Sequence, residues 1–217
     1  MTVPKNVNAS DWGDSEVGAL NGESGEGLAT LLIEVVKSEP GVKTICDLGC
    51  GNGYLAHRLA THGYAVTGVD ASAPYIETAR RLYSDPPVRF EQAFFGEALV
   101  ETLQRESFDL VISSDVIEHL YHPKELLATA KALLKPGGTL VMCTPYHGYL
   151  KNLAIAALGK WDSHHAVHWD GGHIKFFSVA TLRNLIEEQL FVPQRVVYYG
   201  RIPAFAKNMI WVARKPA

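Results

Sequence analysis

The sequence predicts one α/β domain built on a mostly parallel sheet with helices on both faces. Its 217 residues are enough for one such domain with a full core and too few for two of ordinary size. The hydrophobic content of 47% and the charged content of 20% are typical of a globular protein. Between residues 42 and 140, short β-branched runs alternate with longer helical patterns. Strands that alternate with helices in this way favour a parallel sheet covered on both faces.

Each element of the alternating region follows from its local pattern. The β-branched runs predict strands at 42–48, 64–70, 88–92, 108–113 and 139–144. The helical patterns predict helices at 53–62, 73–83, 97–105 and 123–134, and the last of these ends before Pro136-Gly137-Gly138. A helix at 25–39 is expected to pack before the first strand, and the polar residues 1–24 are interpreted as a flexible arm.

After residue 144 the alternation stops, and about thirty residues carry no strand pattern. A helix is expected at 179–190 with Ser178 as its cap. Two final runs, 195–199 and 209–214, are expected to form an antiparallel hairpin at the sheet edge. The domain is therefore expected to span residues 25–217.

Charge and cysteine usage exclude several classes of protein. A net charge of -3 gives no electrostatic reason to expect nucleic acid as a partner. The three cysteines lack CxxC spacing, which argues against a disulfide framework or a zinc knuckle. No apolar run occurs in the first thirty residues, and no stretch reaches the roughly 18 apolar residues of a spanning helix. A cytoplasmic protein without a signal peptide or a transmembrane segment is expected.

The most informative motif is Asp47-Leu48-Gly49-Cys50-Gly51-Asn52-Gly53, between the first strand and the first helix of the alternation. Glycines let the backbone turn sharply and let a ligand approach where a Cβ would collide. Seventeen residues later, Asp70 ends the second strand. A carboxylate there lies beside the loop and can accept hydrogen bonds from the hydroxyls of a ribose. Loop, helix and acidic strand end together predict a nucleoside-containing cofactor.

The spacing of the glycines separates two cofactor classes. Proteins that bind nicotinamide dinucleotides usually carry GxGxxG, whereas this loop reads GxGxG with Asp47 before it. This pattern disfavours an oxidoreductase and suits a cofactor with a carboxylate and an amine.

Four motifs together resemble those of the class I S-adenosylmethionine-dependent methyltransferases. In chain order they are DLGCGNG (47–53), VTGVD (66–70), FDLVISSDVIEHL (108–120) and LLKPGGTLVMCTP (133–145). The resemblance implies the Rossmann-like fold of that family, with a seven-stranded, mostly parallel sheet and S-adenosylmethionine as the cofactor. It also implies that an insertion after the fifth strand, about residues 146–177, forms a lid over a small-molecule acceptor.

The resemblance also implies roles for individual residues. The cofactor site would comprise Asp47, Gly49, Gly51, Gly53, Asp70 and Ser114. In it, Gly49 contacts the methionine part, Asp70 binds the ribose and Asp47 orients the ammonium group. Ser114 lines the cleft, and Phe94 or Phe95 packs against the adenine.

Within this superfamily, the chain is most similar to the ubiquinone-biosynthesis O-methyltransferases. Those enzymes carry an acidic residue, two apolar residues and Glu-His after the fourth strand, as in Asp115-Val116-Ile117-Glu118-His119, where Asp115 replaces their usual glutamate. The resemblance associates Asp115, Glu118 and His119 with a divalent metal, whereas other relatives use the same Glu-His without one.

Histidines in the predicted lid supply candidates for a catalytic base. Five of the nine histidines lie within it: His147, His164, His165, His168 and His173. A hydroxyl acceptor must lose its proton, and an imidazole can accept one near neutral pH. We expect His173, which follows Gly171-Gly172, to be the base, helped by His165 or His168. The alternative is that His173 only fastens the lid.

Apolar side chains in the lid suit an aromatic or lipophilic acceptor. The aromatic ones are Tyr146, Tyr149, Trp161, Trp169, Phe176 and Phe177, and the alternative is that they form the core of the lid itself. One face of a short helix carries Leu150, Leu153, Ala154, Ala157 and Leu158. This face is expected to pack on the domain, with a cover for the cleft or a contact with a membrane surface as alternatives.

The sequence thus favours a methyltransferase that acts on the hydroxyl of a small aromatic or lipophilic molecule. N-, S- or C-methylation and a non-catalytic cofactor-binding module are the alternatives. The cluster of titratable lid residues argues against the last, because a degenerate site has no use for it.

Overall fold

The computed structural model describes residues 23–165 and 171–217. The strands are β1 (Thr44–Leu48), β2 (Ala65–Asp70), β3 (Arg89–Gln92), β4 (Phe108–Ser114), β5 (Leu134–Pro145), β6 (Val192–Tyr199) and β7 (Asn208–Arg214). The helices are α1 (Glu23–Lys37), α2 (Tyr54–Ala60), α3 (Ala73–Leu82), α4 (Glu97–Leu103), α5 (Pro123–Leu133), α6 (Tyr149–Ala157), α7 (Trp161–His165) and α8 (Val179–Glu188). Two 3₁₀ turns span Ile117–His119 and Pro203–Phe205. The predicted flexible arm lies almost entirely outside the described residues.

The seven strands form one sheet in the order β3-β2-β1-β4-β5-β7-β6. Strands β1 to β5 pair in parallel, and β7 pairs antiparallel with both β5 and β6. This arrangement confirms the predicted fold class and the C-terminal hairpin. The strand order reverses between β1 and β4, and in such sheets ligands bind outside the carboxyl ends of the strands at that point.

The core consists of two apolar layers, one on each face of the sheet. Successive side chains of a strand point to opposite faces, and the central strands follow this rule. Cys46 and Leu48 of β1 join the layer that contains α5 and α8, whereas Ile45 joins the layer that contains α1 and α2. The helix after the lid is capped as predicted, because Thr181 N–H donates to Ser178 Oγ at 3.2 Å.

Strand β5 begins five residues earlier than its local pattern predicts. Leu134 lies opposite Phe108, but the next pair in register is Thr139 with Leu110, so residues 135–138 bulge out of the ladder. Within the bulge, Gly137 N–H donates to the Lys215 carbonyl, and Lys215 N–H donates to the Gly138 carbonyl. The Pro-Gly-Gly segment is therefore held by the C-terminal end of the chain, which its local pattern does not reveal.

The apolar face of α6 does not pack on the domain, and that prediction is wrong. Leu150, Leu153 and Leu158 are 53%, 52% and 68% exposed. The main contacts of α6 are with α7 and with the 3₁₀ turn at Pro203–Phe205, and neither is large enough to cover it. Among the described helices, none is long and apolar enough to cross a membrane.

Candidate active site

The glycine loop joins the end of β1 to the start of α2. The three glycines of the loop have positive φ angles, a backbone region that residues other than glycine rarely adopt. The angles are 83° at Gly49, 53° at Gly51 and 82° at Gly53. The N–H groups of Gly49 and Cys50 donate to the Val69 carbonyl at 2.8 and 2.9 Å. The loop is therefore fastened to the end of β2, beside Asp70.

The three glycines are needed for different reasons. A Cβ at Gly49 would lie 2.3 Å from Val116, and one at Gly53 would lie 2.7 Å from Phe90, so both positions are closed by packing. A Cβ at Gly51 would meet no described atom within 4 Å. Open space over a turn of this kind allows a ligand to approach the backbone closely.

Asp70 lies beside this loop, as the sequence predicts. Its carboxylate accepts hydrogen bonds from Gly51 N–H at 2.9 Å and from Ser72 N–H at 2.8 Å. Burial raises its pKa, while these backbone donors lower it. Each carboxylate oxygen can accept a further hydrogen bond, which leaves capacity for the hydroxyls of a ligand.

Asp47 is the most distinctive group of the site. Its side chain is 1% exposed, and its Oδ2 atom has no hydrogen-bond partner among the described residues. Burial and the neighbouring charge of Asp70 raise the pKa of Asp47 to about 7. An unpaired buried carboxylate is costly, so its position fits a ligand that brings a cation, such as an ammonium group.

A pocket between the glycine loop and α1 includes Asp47 and Ser114 in its lining. Its lining combines the loop with apolar side chains: Leu28, Ala29, Leu32, Asp47, Gly49, Cys50, Tyr54, Leu55 and Ser114. The contribution of α1 could not be predicted from the sequence, because nothing in a helix pattern indicates which ligand the helix covers.

After β3, Phe94 is 52% exposed, whereas Phe95 packs against the core. Of the two candidates for contact with adenine, Phe94 is the accessible one.

A second group of polar side chains follows β4. Glu118, His119 and His173 bring one ligand atom each to within 4.8 Å of one another. Glu118 is buried and accepts a hydrogen bond from Thr144 Oγ1 at 2.9 Å. His119 Nδ1–H donates to the Gly171 carbonyl at 2.8 Å, since a carbonyl can only accept. Nε2 of the neutral His119 ring then carries the lone pair.

Asp115 is not part of this group, which corrects the predicted metal set of Asp115, Glu118 and His119. It has a left-handed φ of 53°, and the 3₁₀ turn begins two residues later, at Ile117. The helical spacing that would place Asp115 beside Glu118 and His119 is therefore not formed. Its carboxylate instead accepts hydrogen bonds from Asn208 Nδ2 at 2.7 Å and from Ser114 Oγ at 3.3 Å.

The electrostatics of this group favour neutral histidines. Burial lowers the pKa of His119 and lowers that of His173 to about 4, with a further contribution from His119 to the latter. Burial raises the pKa of Asp115, and burial with the charge of Asp115 raises that of Glu118. Both acids therefore hold their protons more tightly than ordinary carboxyl groups, whereas both imidazoles are unprotonated near neutral pH.

The remaining lid histidines form a separate cluster. The ring of His165 lies 5.7 Å from that of His147 and 5.0 Å from those of His164 and Phe176, measured between centroids. His165 is near enough to His173 to lower its pKa further. His168 and Trp169 lie outside the described residues. Of the lid aromatics, Phe177 is buried and Tyr146 packs on the core, whereas Tyr149, Trp161 and Phe176 are 79%, 47% and 50% exposed.

Two curated relatives illustrate the sequence similarity of this chain to known proteins. The ubiquinone biosynthesis O-methyltransferase of Caulobacter vibrioides is 39% identical over 119 residues, which cover 54% of this chain and 46% of that protein. The mitochondrial ubiquinone biosynthesis O-methyltransferase of Schizosaccharomyces pombe is 32% identical over 151 residues, which cover 69% and 55%. The chain thus spans about half the length of these relatives.

Solved structures show the same fold. An S-adenosylmethionine-dependent methyltransferase from Mesorhizobium loti has a TM-score of 0.68 and 22% identity, with 90% of this chain and 100% of that chain covered. A methyltransferase from Haloferax volcanii, solved with the Trm112 activator, has a TM-score of 0.71 and 17% identity, with 92% and 95% covered.

A family model described as a methyltransferase domain matches residues 22–192, most of the chain. With the glycine loop, the acidic end of β2 and the sheet order in place, this match agrees with the resemblance of the four motifs. The chain belongs to the class I S-adenosylmethionine-dependent methyltransferases.

Proposed function

We propose that the chain transfers a methyl group from S-adenosylmethionine to a hydroxyl of a small aromatic or lipophilic acceptor. The observation that carries the proposal is the grouping of two imidazoles, His119 and His173, with Glu118 of the turn after β4, each with one ligand atom within 4.8 Å of the others. Ser114, at the end of the same strand, lines the cofactor pocket. In this proposal one of the two imidazoles would take the proton that a hydroxyl acceptor must lose. The names of the curated relatives agree with O-methylation.

The cofactor-binding roles follow from the positions of the loop residues. Asp47 faces the pocket with an unpartnered carboxylate oxygen and would hold the ammonium group. Asp70 would bind the ribose hydroxyls and Phe94 would contact the adenine. The backbone of Gly49 and Gly51 would approach the methionine part, while Gly53 maintains the turn.

The chemistry is an in-line displacement that the protein promotes by position and by proton removal. The bound cofactor supplies an electrophilic methyl group on a positively charged sulfur. The cleft would hold the acceptor oxygen in line with that methyl group, which would account for much of the rate. His173 would take the proton of the acceptor hydroxyl and become an imidazolium as the oxygen–carbon bond forms, while the sulfur–methyl bond breaks and the neutral thioether S-adenosylhomocysteine leaves. His165 would orient the acceptor, and His168, the other candidate for this role, lies outside the described residues.

Residues 146–177 would form the lid of a single domain that spans residues 25–217. The end of this segment is already fastened to the turn after β4, because Ile174 and Lys175 N–H donate to the Glu118 carbonyl at 2.9 Å. Together with the His119–Gly171 bond, these contacts hold this end of the segment and support the assignment of His173 as the base, with fastening of the lid as the alternative. The exposed face of α6 would cover the cleft or contact a membrane surface that delivers the acceptor.

The test is a turnover assay for S-adenosylhomocysteine with matched phenols, quinols, thiols and amines. We expect turnover with phenols or quinols, and a much lower rate in an Asp70→Ala control when the cofactor is subsaturating. Preferential turnover of amines or thiols would replace O-methylation by the corresponding alternative. Tight cofactor binding without turnover of any acceptor would indicate a binding module.

The affinity for S-adenosylmethionine is expected to fall as the pH drops below about 7. Asp47 has a raised pKa of about 7 in the free protein, and an adjacent ammonium group would lower it. Binding below pH 7 must therefore release a proton, which weakens it by up to tenfold per pH unit. Calorimetry in buffers of different ionisation enthalpy measures that proton directly. An affinity that does not change between pH 5.5 and 8 would contradict this role.

The variant Asp47→Asn separates binding from stability. Because the pKa of Asp47 is raised in the folded protein, its ionised form destabilises the cofactor-free fold above pH 7. This loss of folding free energy disappears as the pH falls toward about 4, the pKa of an aspartate in the unfolded chain. We expect the variant to bind the cofactor more weakly while its own Tm at pH 8 rises by about 3–6 °C. A lower Tm at pH 8 would show that the carboxylate has a structural partner.

Turnover is expected to survive exhaustive chelation. Burial and the charge of Asp115 raise the pKa of Glu118, which favours its protonated form, and a protonated carboxyl is a poor ligand for a divalent cation. Glu118, His119 and His173 are nevertheless the residues that would hold such an ion. Activity lost with chelator and restored by Mg²⁺ or Zn²⁺, with matching metal content, would show that they do.

A further inference from the structure

The surface between α6, α7 and the loop after β6 concentrates basic side chains. We define the lid basic cluster as Lys151, Arg201, His147, His164 and His165. His147 is 6% exposed, and its ring lies 6.4 Å from that of His164 and 5.7 Å from that of His165. The 3₁₀ turn that follows Arg201 packs on α6, which brings Arg201 toward Lys151.

The cluster lacks a counter-charge in the part of the chain that the structure describes. Neither Lys151 nor Arg201 lies within 4 Å of a carboxylate there, although Asp162 is on the adjacent α7. Lys151 Nζ donates to the Tyr146 carbonyl at 2.8 Å, which fixes its position without neutralising it. Burial and the charge of Arg201 lower the pKa of Lys151, as expected for two cations held close together.

A buried imidazole lies beside these cations. The ring of His147 has the side chain of Asn152 as its polar neighbour, and in either tautomer one ring nitrogen carries an N–H. Lys151 and Arg201, two cations without a carboxylate within 4 Å in the described part of the chain, form a surface complementary to an anion.

We propose that the lid basic cluster binds an anionic group, a carboxylate or a phosphate, carried by the methyl acceptor. The neighbouring exposed rings of Trp161 and Phe176 would contact its apolar body. The inference rests on the proposed function and narrows its substrate class to acceptors that join an apolar ring or chain to an anion.

The kinetic test compares 3,4-dihydroxybenzoate with its uncharged methyl ester. The parent is expected to show a kcat/KM about 10–100-fold higher for the carboxylate. Lys151→Met and the solvent-exposed Arg201→Gln should each reduce this preference toward unity, with little change for the ester. The matched control Lys160→Met removes an exposed lysine between α6 and α7 and should keep the preference.

A binding test distinguishes failure of this inference from failure of the proposed function. Benzoate and inorganic phosphate should bind the parent and Lys160→Met at least tenfold more tightly than Arg201→Gln, as measured by calorimetry. This result would support the cluster even if no acceptor is methylated. Equal turnover of acid and ester, or no difference in anion binding between parent and Arg201→Gln, would overturn the inference. Lys151-dependent binding to phosphatidylglycerol vesicles without binding of the free anions would also overturn it, in favour of a membrane contact.

Discussion

Replacing His173 by alanine is expected to lower turnover by about 10²–10⁴-fold while S-adenosylmethionine binds almost as before. This is the usual cost of removing a general base. The cofactor should be little affected because its proposed contacts, Asp47, Asp70 and the glycine loop, lie on β1, β2 and the loop between them. Stopped assays of S-adenosylhomocysteine give the turnover, and calorimetry gives the affinity.

The rival role of His173 is to fasten the lid, and two measurements separate the roles. The lid is also attached through His119 and the Glu118 carbonyl. If His173 acts as the base, His173→Ala should therefore lower turnover without a change in Tm. His122→Ala removes an exposed histidine at the start of α5 and serves as the matched control. A folded His173→Ala protein with parental turnover would refute the base assignment. Joint loss of turnover and cofactor binding would favour fastening.

The pH profile adds an independent readout. Burial and the neighbouring histidines lower the pKa of His173 to about 4, so its ring is unprotonated throughout the neutral range. At saturating cofactor, the acidic limb of kcat should therefore be centred near pH 4 and be absent from His173→Ala. A limb centred near 6.5 would indicate a solvent-exposed histidine as the base.

Replacing Asp70 by alanine is expected to weaken S-adenosylmethionine binding by about 2–3 kcal/mol, or roughly 30–150-fold. Hydrogen bonds from ribose hydroxyls to a carboxylate are charge-assisted and therefore among the stronger ones. The structure adds a second contribution, since the same carboxylate accepts hydrogen bonds from Gly51 and Ser72. Its loss would also loosen the loop that faces the ligand.

The conservative variant Asp70→Asn apportions these contributions. The amide keeps one acceptor oxygen but loses the charge, so an intermediate affinity is expected. Glu77→Ala removes an exposed acid from the following helix and controls for a general change in charge. Equal affinities for the parent and a folded Asp70→Ala protein would remove Asp70 from the site.

The sequence by itself determined the fold and the position of the cofactor loop. Strand and helix patterns are local, and the alternation from β1 to β5 leaves little choice of topology. The sequence predicts the glycines of the loop and Asp70 because a tight turn and an acidic strand end are each visible in a few neighbouring residues. The glycines concerned are Gly49, Gly51 and Gly53. Local spacing could not show why Gly49 and Gly53 must be glycines. A Cβ at these positions would collide with Val116 and Phe90, which come from distant parts of the chain.

Only the tertiary structure decided which polar groups share the second site. Asp115 and Glu118 are three residues apart, but Asp115 has a left-handed backbone and accepts a hydrogen bond from Asn208 of β7. Its charge still raises the pKa of Glu118, yet Asp115 is not part of the group of Glu118, His119 and His173. His173 instead joins Glu118 and His119 across more than fifty residues, since the lid returns over the end of β4. Long-range convergence of this kind depends on how the lid and the C-terminal hairpin pack. A pattern of neighbouring residues carries no information about that packing. The packing determines how deeply each group is buried, and burial in turn shifts its pKa.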